Sequence, residues 1–330
     1  MVSGCRATFI HHSTSPAPLN RPGRPEPGPP GPPSSGPVPA GRVFKRALRA
    51  LLYPDSVLSR APSAIEYGID MRATQEQKAE DFRTLHASGV FIMPNPWDAG
   101  SARVLEALGF KALATTSAGL AFTLGRKDGG ATLDDVVEHV RSLNRATSLP
   151  VSVDLENGYG PDPEAAAAAI TRATEAGAVG GSIEDYGPEI EAIYCLDHAV
   201  ARVAAAAEAA RRLSFPFMLT ARAENHIRGN PNLEDTIARL QAYEQAGADV
   251  LYAPGLRSGE EIRAVSEATS KPLNVLARPN LTTSEIAEAG GRRISVGGPL
   301  TWVAVAAMVE AAEKMRDGDF SALNLRAEWW

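Results

Sequence analysis

Only two cysteines, Cys5 and Cys195, occur in 330 residues, too few for a disulfide framework or a thiolate-rich zinc site. A reducing compartment, the cytoplasm, is the expected setting. No apolar run approaches the roughly 20 residues that a membrane span needs, and the opening "MVSGCRATFIHHSTSP" lacks the continuous apolar stretch of a secretory signal. Positive charge is not in excess either: 33 Lys and Arg stand against 39 Asp and Glu, a net charge of −6. Nucleic acid and membranes are therefore not expected partners. Nucleophilic chemistry is also short of parts. None of Lys78, Lys111, Lys127, Lys271 and Lys314 falls in an expected strand, as a Schiff-base barrel would require, and "TTSAG" lacks the Gly-x-Ser-x-Gly elbow. Cys195, in "EAIYCLDHAVARV", reads as a buried apolar residue on the approach to a helix rather than as a nucleophile.

What the chain does have is uneven. Residues 16–39 hold 11 prolines in 24 positions, a composition that cannot bury enough apolar surface to offset its ordering entropy. Residues 1–72 are expected to form a disordered Pro/Gly-rich tail, with Met71 a candidate true start, and 73–330 the folded part. Residues 1–70 carry eight Lys/Arg against four Asp/Glu, which leaves 25 against 35 for the remainder and makes that part distinctly acidic. Beyond the tail a beat sets in. Short apolar runs at 90–96, 112–118, 150–156, 180–185, 217–224, 249–255, 272–277 and 293–298 alternate with helical stretches such as "PEAAAAAITRATEAGA" and "LEDTIARLQAYEQAGA". Eight strand–helix units predict an α/β fold, a parallel (β/α)8 TIM-type barrel. An open doubly wound sheet would carry a phosphate fingerprint after its first strand, and "NPWDAGSA" is not one.

Barrel chemistry sits at the carboxyl ends of the strands. Alternation along "VSVDLE" puts Ser152, Asp154 and Glu156 on one face, and by the same rule Ser182 pairs with Glu184, and Thr220 with Arg222 and Glu224. Three adjacent strands thus bring acids and one Arg to one mouth. Crowded carboxylates repel and need a cation between them. Oxygen donors without a Cys or His cluster suit a hard ion, Mg²⁺ or Mn²⁺.

The segments "PNPWDAGSARVLEALGFKALATTSAGLAFTLGRKDG", "VSVDLENGYG", "GGSIED", "LTARAENH", "GADVLYAPGL", "PLNVLARPN" and "RISVGGPL", in this order over roughly residues 75–325, resemble the isocitrate lyase and phosphoenolpyruvate mutase superfamily, closest to its short members. The resemblance implies a β/α barrel that binds a 2-oxo acid as its enolate on Mg²⁺ and makes or breaks the adjacent C–C or P–C bond. Carried over residue by residue, Asp128, Asp154, Glu156 and Glu184 would form the acidic metal shell, with Glu156 standing where many relatives have Asp. The backbone of Ser117, Ala118 and Gly119 would hold the substrate carboxylate, with Asp98 and Arg222 joining the substrate-binding set. Tyr159 and Glu224 join Arg222 as the catalytic set; Tyr159, Tyr252 and His226 are the candidate proton donors.

The departures from that pattern matter too. Isocitrate and methylisocitrate lyases carry a Lys-x-Cys-Gly-His loop after the fourth strand, whereas this chain reads "EDYGPEIEAIYCLDH". The catalytic thiol is therefore not assigned to Cys195. The Asn-rich gating loop of the phosphonate mutases is not evident in "GRKDGGATLDD". The expected function is Mg²⁺-dependent C–C cleavage beside a 2-oxo acid enolate, of the oxaloacetate decarboxylase or alkylmalate lyase kind. P–C bond chemistry is the second reading and a catalytically silent binding barrel the third. The last segment, "PLTWVAVAAMVEAAEKMRDGDFSALN", has apolar residues on more than one helical face. Superfamily members commonly exchange their last helix between subunits, so a homodimer or homotetramer is expected.

Overall fold

The computed structural model describes residues 73–324. The expected tail over 1–72, with Met71, lies outside the described residues. After helix α1 (Gln75–Ala87) come the strands β1 (Phe91–Met93), β2 (Leu113–Ala114), β3 (Val151–Asp154), β4 (Gly180–Glu184), β7 (Met218–Arg222), β8 (Val250–Tyr252), β9 (Leu273–Leu276) and β10 (Gly291–Ser295). They form one eight-stranded parallel sheet in the order β1-β10-β9-β8-β7-β4-β3-β2. The hairpin β5 (Tyr186–Gly187) and β6 (Ala192–Ile193) follows β4. The seam between the end strands is joined where Ala114 N–H donates to the Pro94 carbonyl at 3.0 Å. Asn95 reinforces it: its Nδ2 donates to the Thr115 carbonyl (2.8 Å), and its Oδ1 accepts from Val296 and Gly297 N–H at 2.9 and 2.8 Å. The TIM-type barrel read from the sequence is the fold observed, and all eight expected strand runs overlap a strand.

The outer layer is made by α2 (Ala99–Ala107), α3 (Ser117–Thr123), α4 (Leu133–Ala146), α5 (Pro163–Glu175), α6 (Leu196–Arg211), α7 (Leu233–Ala246), α8 (Gly259–Ala268), α9 (Thr283–Glu288) and α10 (Pro299–Arg316). Thr74, Asp98, Thr132 and Thr282 close capping boxes at the starts of α1, α2, α4 and α9, satisfying donors that helix ends leave free. Most of these helices turn an apolar face to the sheet, whereas α10 buries only Thr301. In α5 that face is Ala166, Ala169, Ile170 and Ala173, packed beside Ala199, Val203 and Ala206 of α6, small side chains that let the two helices approach closely. None of the described helices is long and apolar enough to cross a membrane.

Helix α1 plugs the amino-terminal end of the barrel. Phe82 sits among Met93, Val179, Met218 and Val250, and a Cβ on Gly180 would lie 2.6 Å from its ring, so the strand needs glycine there. Above this plug the barrel interior is polar. Arg293 is buried and donates to Asn274 Oδ1 (2.8 Å) and Thr220 Oγ1 (2.9 Å), with His86 Nε2 at 3.3 Å from its Nη1. His86 Nδ1 lies 2.7 Å from the Phe82 carbonyl, which leaves Nε2 as the acceptor for Arg293.

Two buried imidazoles make stability pH-dependent. Burial, with Arg293 beside it, pushes His86 down to about 3, and burial pushes His139 down to about 4. Below about pH 6.5 the unfolded chain binds protons that these folded imidazoles refuse, so stability is full above that pH and falls as pH falls. The slope is about 1.4 kcal/mol per pH unit for each imidazole until its folded pKa is reached. Urea midpoints between pH 7 and 5 should therefore fall less steeply for a His86→Gln, His139→Gln double variant. Equal slopes would refute the assignment.

Candidate active site

Strand register builds the site. Asp154 is the Cα partner of Ser182, and Glu184 of Arg222, which in turn pairs with Tyr252. The Arg222 side chain is mostly buried, 3.3 Å from Glu184 Oε2 and 3.7 Å from Asp154 Oδ1 through Nη1, while Nε bonds Glu224 Oε1. Its guanidinium carbon lies 5.5 Å from the centre of the Tyr252 ring. Asp154 accepts from Ser117 N–H (3.2 Å), Glu156 N–H (3.3 Å) and Ser182 Oγ (3.5 Å). Thr115 Oγ1 accepts from Asp154 N–H at 2.8 Å, fixing the strand end beside the seam. Below Glu224, the buried Asp185 accepts from Glu224 N–H (2.8 Å), Tyr243 OH (2.5 Å) and Arg239 Nη1 (3.1 Å).

Two cavities meet at Arg222. The inner one, about 60 Å³, reaches down the barrel past Asp154, Thr116, Tyr252, Asn274, Arg293 and Ser295. The outer one, about 350 Å³, opens between Ser117, Asp128, Glu156, Glu184, Tyr186 and Arg228. Five carboxyl groups crowd this mouth, Asp128, Asp154, Glu156, Glu184 and Glu224, against the two guanidiniums of Arg222 and Arg228. The cost shows in their protonation. Burial, then Asp154 and Asp128, pushes Glu156 up to about 7. Burial also drives Glu184 well up, against the pull of Arg222. Burial works against the Arg222 cation, yet Glu184, Glu224 and Asp154 hold it protonated well above its ordinary range.

This donor set fits a hard divalent cation: it is all oxygen, over-supplied with negative charge, and gathered at the barrel mouth. Among the described residues no three acidic, His or Cys side chains stand close enough to cage an ion. A hard ion held at this mouth would therefore take one or two of these carboxylates and complete its shell with water or substrate oxygens.

The structure brings Asp154, Glu184, Arg222 and Glu224 together by strand alternation. Glu156 reaches the mouth differently. The strand ends at Asp154, and Glu156 has left-handed backbone (φ 48°), so a turn and not the pleat places it. Tyr159 (φ 62°) donates from its hydroxyl to Glu156 Oε1 at 3.3 Å but lines neither of the two cavities. Asp98, expected at the substrate, caps α2 by accepting from Ser101 N–H at 2.6 Å and lines neither cavity. Of the turn Ser117–Gly119, which forms the start of α3, Ser117 N–H faces Asp154 while Gly119 N–H turns to Thr116 Oγ1 (3.5 Å). A Cβ on Gly119 would meet Thr116, Thr301 and Trp97 within 3.0 Å, so packing explains that glycine. Cys195, expected to be buried, is exposed at the N-cap of α6. His226 is buried, packed against Gly255, and lines neither cavity. Sequence reasoning missed Arg228, Asn95, Asn274, Arg293 and Ser295. The last three obey the alternation that found the others; for Arg228 the signal was its four-residue spacing from Glu224.

Residues 82–316 match the profile of the family described as phosphoenolpyruvate phosphomutase. A crystallised protein from Burkholderia cenocepacia J2315, provisionally named a lyase/mutase, is 51% identical and superposes with a TM-score of 0.74, over 77% of this chain and 94% of that one. An oxaloacetate decarboxylase from Paraburkholderia xenovorans (strain LB400) is 32% identical, over 69% of this chain and 79% of its own. The crystal structure of 2,3-dimethylmalate lyase, a PEP mutase/isocitrate lyase superfamily member, is 30% identical with a TM-score of 0.68, over 78% and 91% of the two chains. The barrel thus finds its counterparts among carbon–carbon lyases, and the chain belongs to the phosphoenolpyruvate phosphomutase family as a lyase of the PEP mutase/isocitrate lyase superfamily.

Proposed function

We propose that this lyase is Mg²⁺-dependent and cleaves the C–C bond beside the carbonyl of a small 2-oxo or hydroxy diacid, releasing a pyruvate-type product. The carrying observation is Arg222, held at the junction of the two cavities among Asp154, Glu184 and Glu224. Relatives named oxaloacetate decarboxylase and 2,3-dimethylmalate lyase support the substrate class. Asp154, with Glu156, Glu184 and Asp128 around it, would hold the Mg²⁺ (or Mn²⁺), which when bound supplies a positive charge to the oxygen that becomes the enolate. Arg222 offers a planar two-pronged grip on the substrate carboxylate. Tyr159 Oη stays protonated, because burial and then the charge of Glu156 oppose its ionisation. Since Tyr159 lines neither cavity, it acts on the site only through the hydrogen bond that its hydroxyl donates to Glu156 Oε1.

The test offers oxaloacetate, alkylated malates and phosphonopyruvate with Mg²⁺, following 2-oxo acid release and, by phosphorus NMR, P–C products. Pyruvate from a carbon diacid, abolished by EDTA, supports the reading. Turnover of the phosphonate alone would replace it with P–C chemistry, and no turnover with no Mg²⁺ binding would leave a silent barrel.

We propose a cytoplasmic homodimer or homotetramer. Helix α10 exposes Trp302, Val303, Met308, Val309 and Met315, and only Thr301 of its residues is buried, more apolar surface than a monomer keeps in contact with water. Light scattering at micromolar concentration should report two or four copies, falling to one on Val303→Lys with Met308→Lys. A monomeric wild type would refute this.

A further inference from the structure

We propose that Arg228 is a second anion-binding head, so that the substrate carries a carboxylate at both ends. This rests on reading the mouth as the lyase site. Arg228 anchors through Nε, which donates to Glu224 Oε2 at 3.0 Å. Its guanidinium stacks on Tyr186, 3.7 Å from the ring centre. Those two contacts fix the plane of the fork without using its open edge. Neither Nη group has a hydrogen-bond acceptor among the described residues; the nearest acid, Glu184 Oε1, is 3.7 Å from Nη2, beyond hydrogen-bond reach.

The two arginines differ in their surroundings. Arg222 is 17% exposed, set between the acids at the cavity junction, whereas Arg228 is 37% exposed on the wall of the outer cavity. Glu224, fully buried, takes Arg222 on one oxygen and Arg228 on the other. One carboxylate thus holds two forks toward one cavity. A molecule gripped by Arg222 at its 2-oxo acid end extends toward Arg228, and a pre-oriented guanidinium with a free edge is built for a carboxylate. With Glu184 close by, a singly charged carboxylate is favoured over a doubly charged phosphonate. Neutralising Glu224 alone does not explain the arrangement, since that pairing uses only Nε.

Malate and lactate differ by the far carboxylate alone, so calorimetric titration of both, with Mg²⁺ present, reads the second head directly. Wild type should bind malate at least about 10-fold more tightly than lactate, and Arg228→Ala should weaken malate about 10- to 100-fold while lactate stays within about twofold. Arg228→Lys, which keeps the charge on Glu224, should retain part of the preference. In turnover the loss should appear in KM for oxaloacetate before kcat. The comparison is internal to each variant, so partial loss of stability does not imitate it. The proposal is overturned by a wild type that binds no malate or shows no preference, by an Ala variant that loses both ligands equally or neither, or by tighter wild-type binding of 2-hydroxy-3-phosphonopropionate than of malate. A wild type that binds malate selectively but turns over no diacid would count against the lyase reading alone.

Discussion

Asp154→Asn should lower turnover by about 100-fold or more, on the order of 3 kcal/mol of transition-state stabilisation, while the fold persists. The side chain ends β3 at the point where three donors converge: Ser117 N–H, Glu156 N–H and Ser182 Oγ. Asn preserves the size and one acceptor oxygen, so the strand end keeps its shape. It removes the charge that would hold the metal and turns a second acceptor into a donor facing N–H groups. Steady-state 2-oxo acid release, with near-UV circular dichroism as the control for folding, checks this. Activity that survives both this substitution and EDTA would sink the metal-enolate mechanism.

Arg222→Lys should hurt in two measurable ways. In kinetics, kcat/KM should fall by about 100-fold or more, because an ammonium cannot span Asp154, Glu184 and Glu224 and also offer a planar fork to a carboxylate. In stability, Glu224 is fully buried and Glu184 nearly so; Glu224 keeps Arg228 on its other oxygen, so the loss should stay below the about 3–5 kcal/mol of a buried acid left with no partner. Arg222→Met should show that loss in the urea midpoint, and Lys a smaller one. A Lys variant within threefold of wild type in both measurements would mean that the guanidinium shape is unused and that only its charge matters.

The barrel was legible because eight apolar runs recur between helical stretches, and the inward acids because a strand has a period of two. Asp154, Glu184, Arg222 and Glu224 stand where that period put them. It failed where the strand stopped: Glu156 turns into left-handed backbone, a local event with no periodic trace. The hairpin β5–β6 was missed because two-residue strands carry no alternation. Asp98 showed the opposite hazard. A carboxylate in a motif-like segment, three residues before a serine, is also what a helix cap looks like. Cys195 was judged by the habits of its residue type, but the N-cap of α6 places it at the surface. Arg228 lay in plain view, yet its importance comes from Tyr186, 42 positions earlier, and no local pattern joins the two.

The polar middle of the barrel also bears on how such a protein can drift over generations. Where most cores ask only for apolar bulk, Arg293 requires the particular oxygens of Asn274 and Thr220 and the ring nitrogen of His86. Those four positions, on β10, β9, β7 and α1, are bound into one vocabulary of donors and acceptors. Each can change only with its partners. The alanine-rich seam between α5 and α6 asks for little beyond small volume, so single substitutions should be tolerated far better on the outside of this cylinder than along its axis.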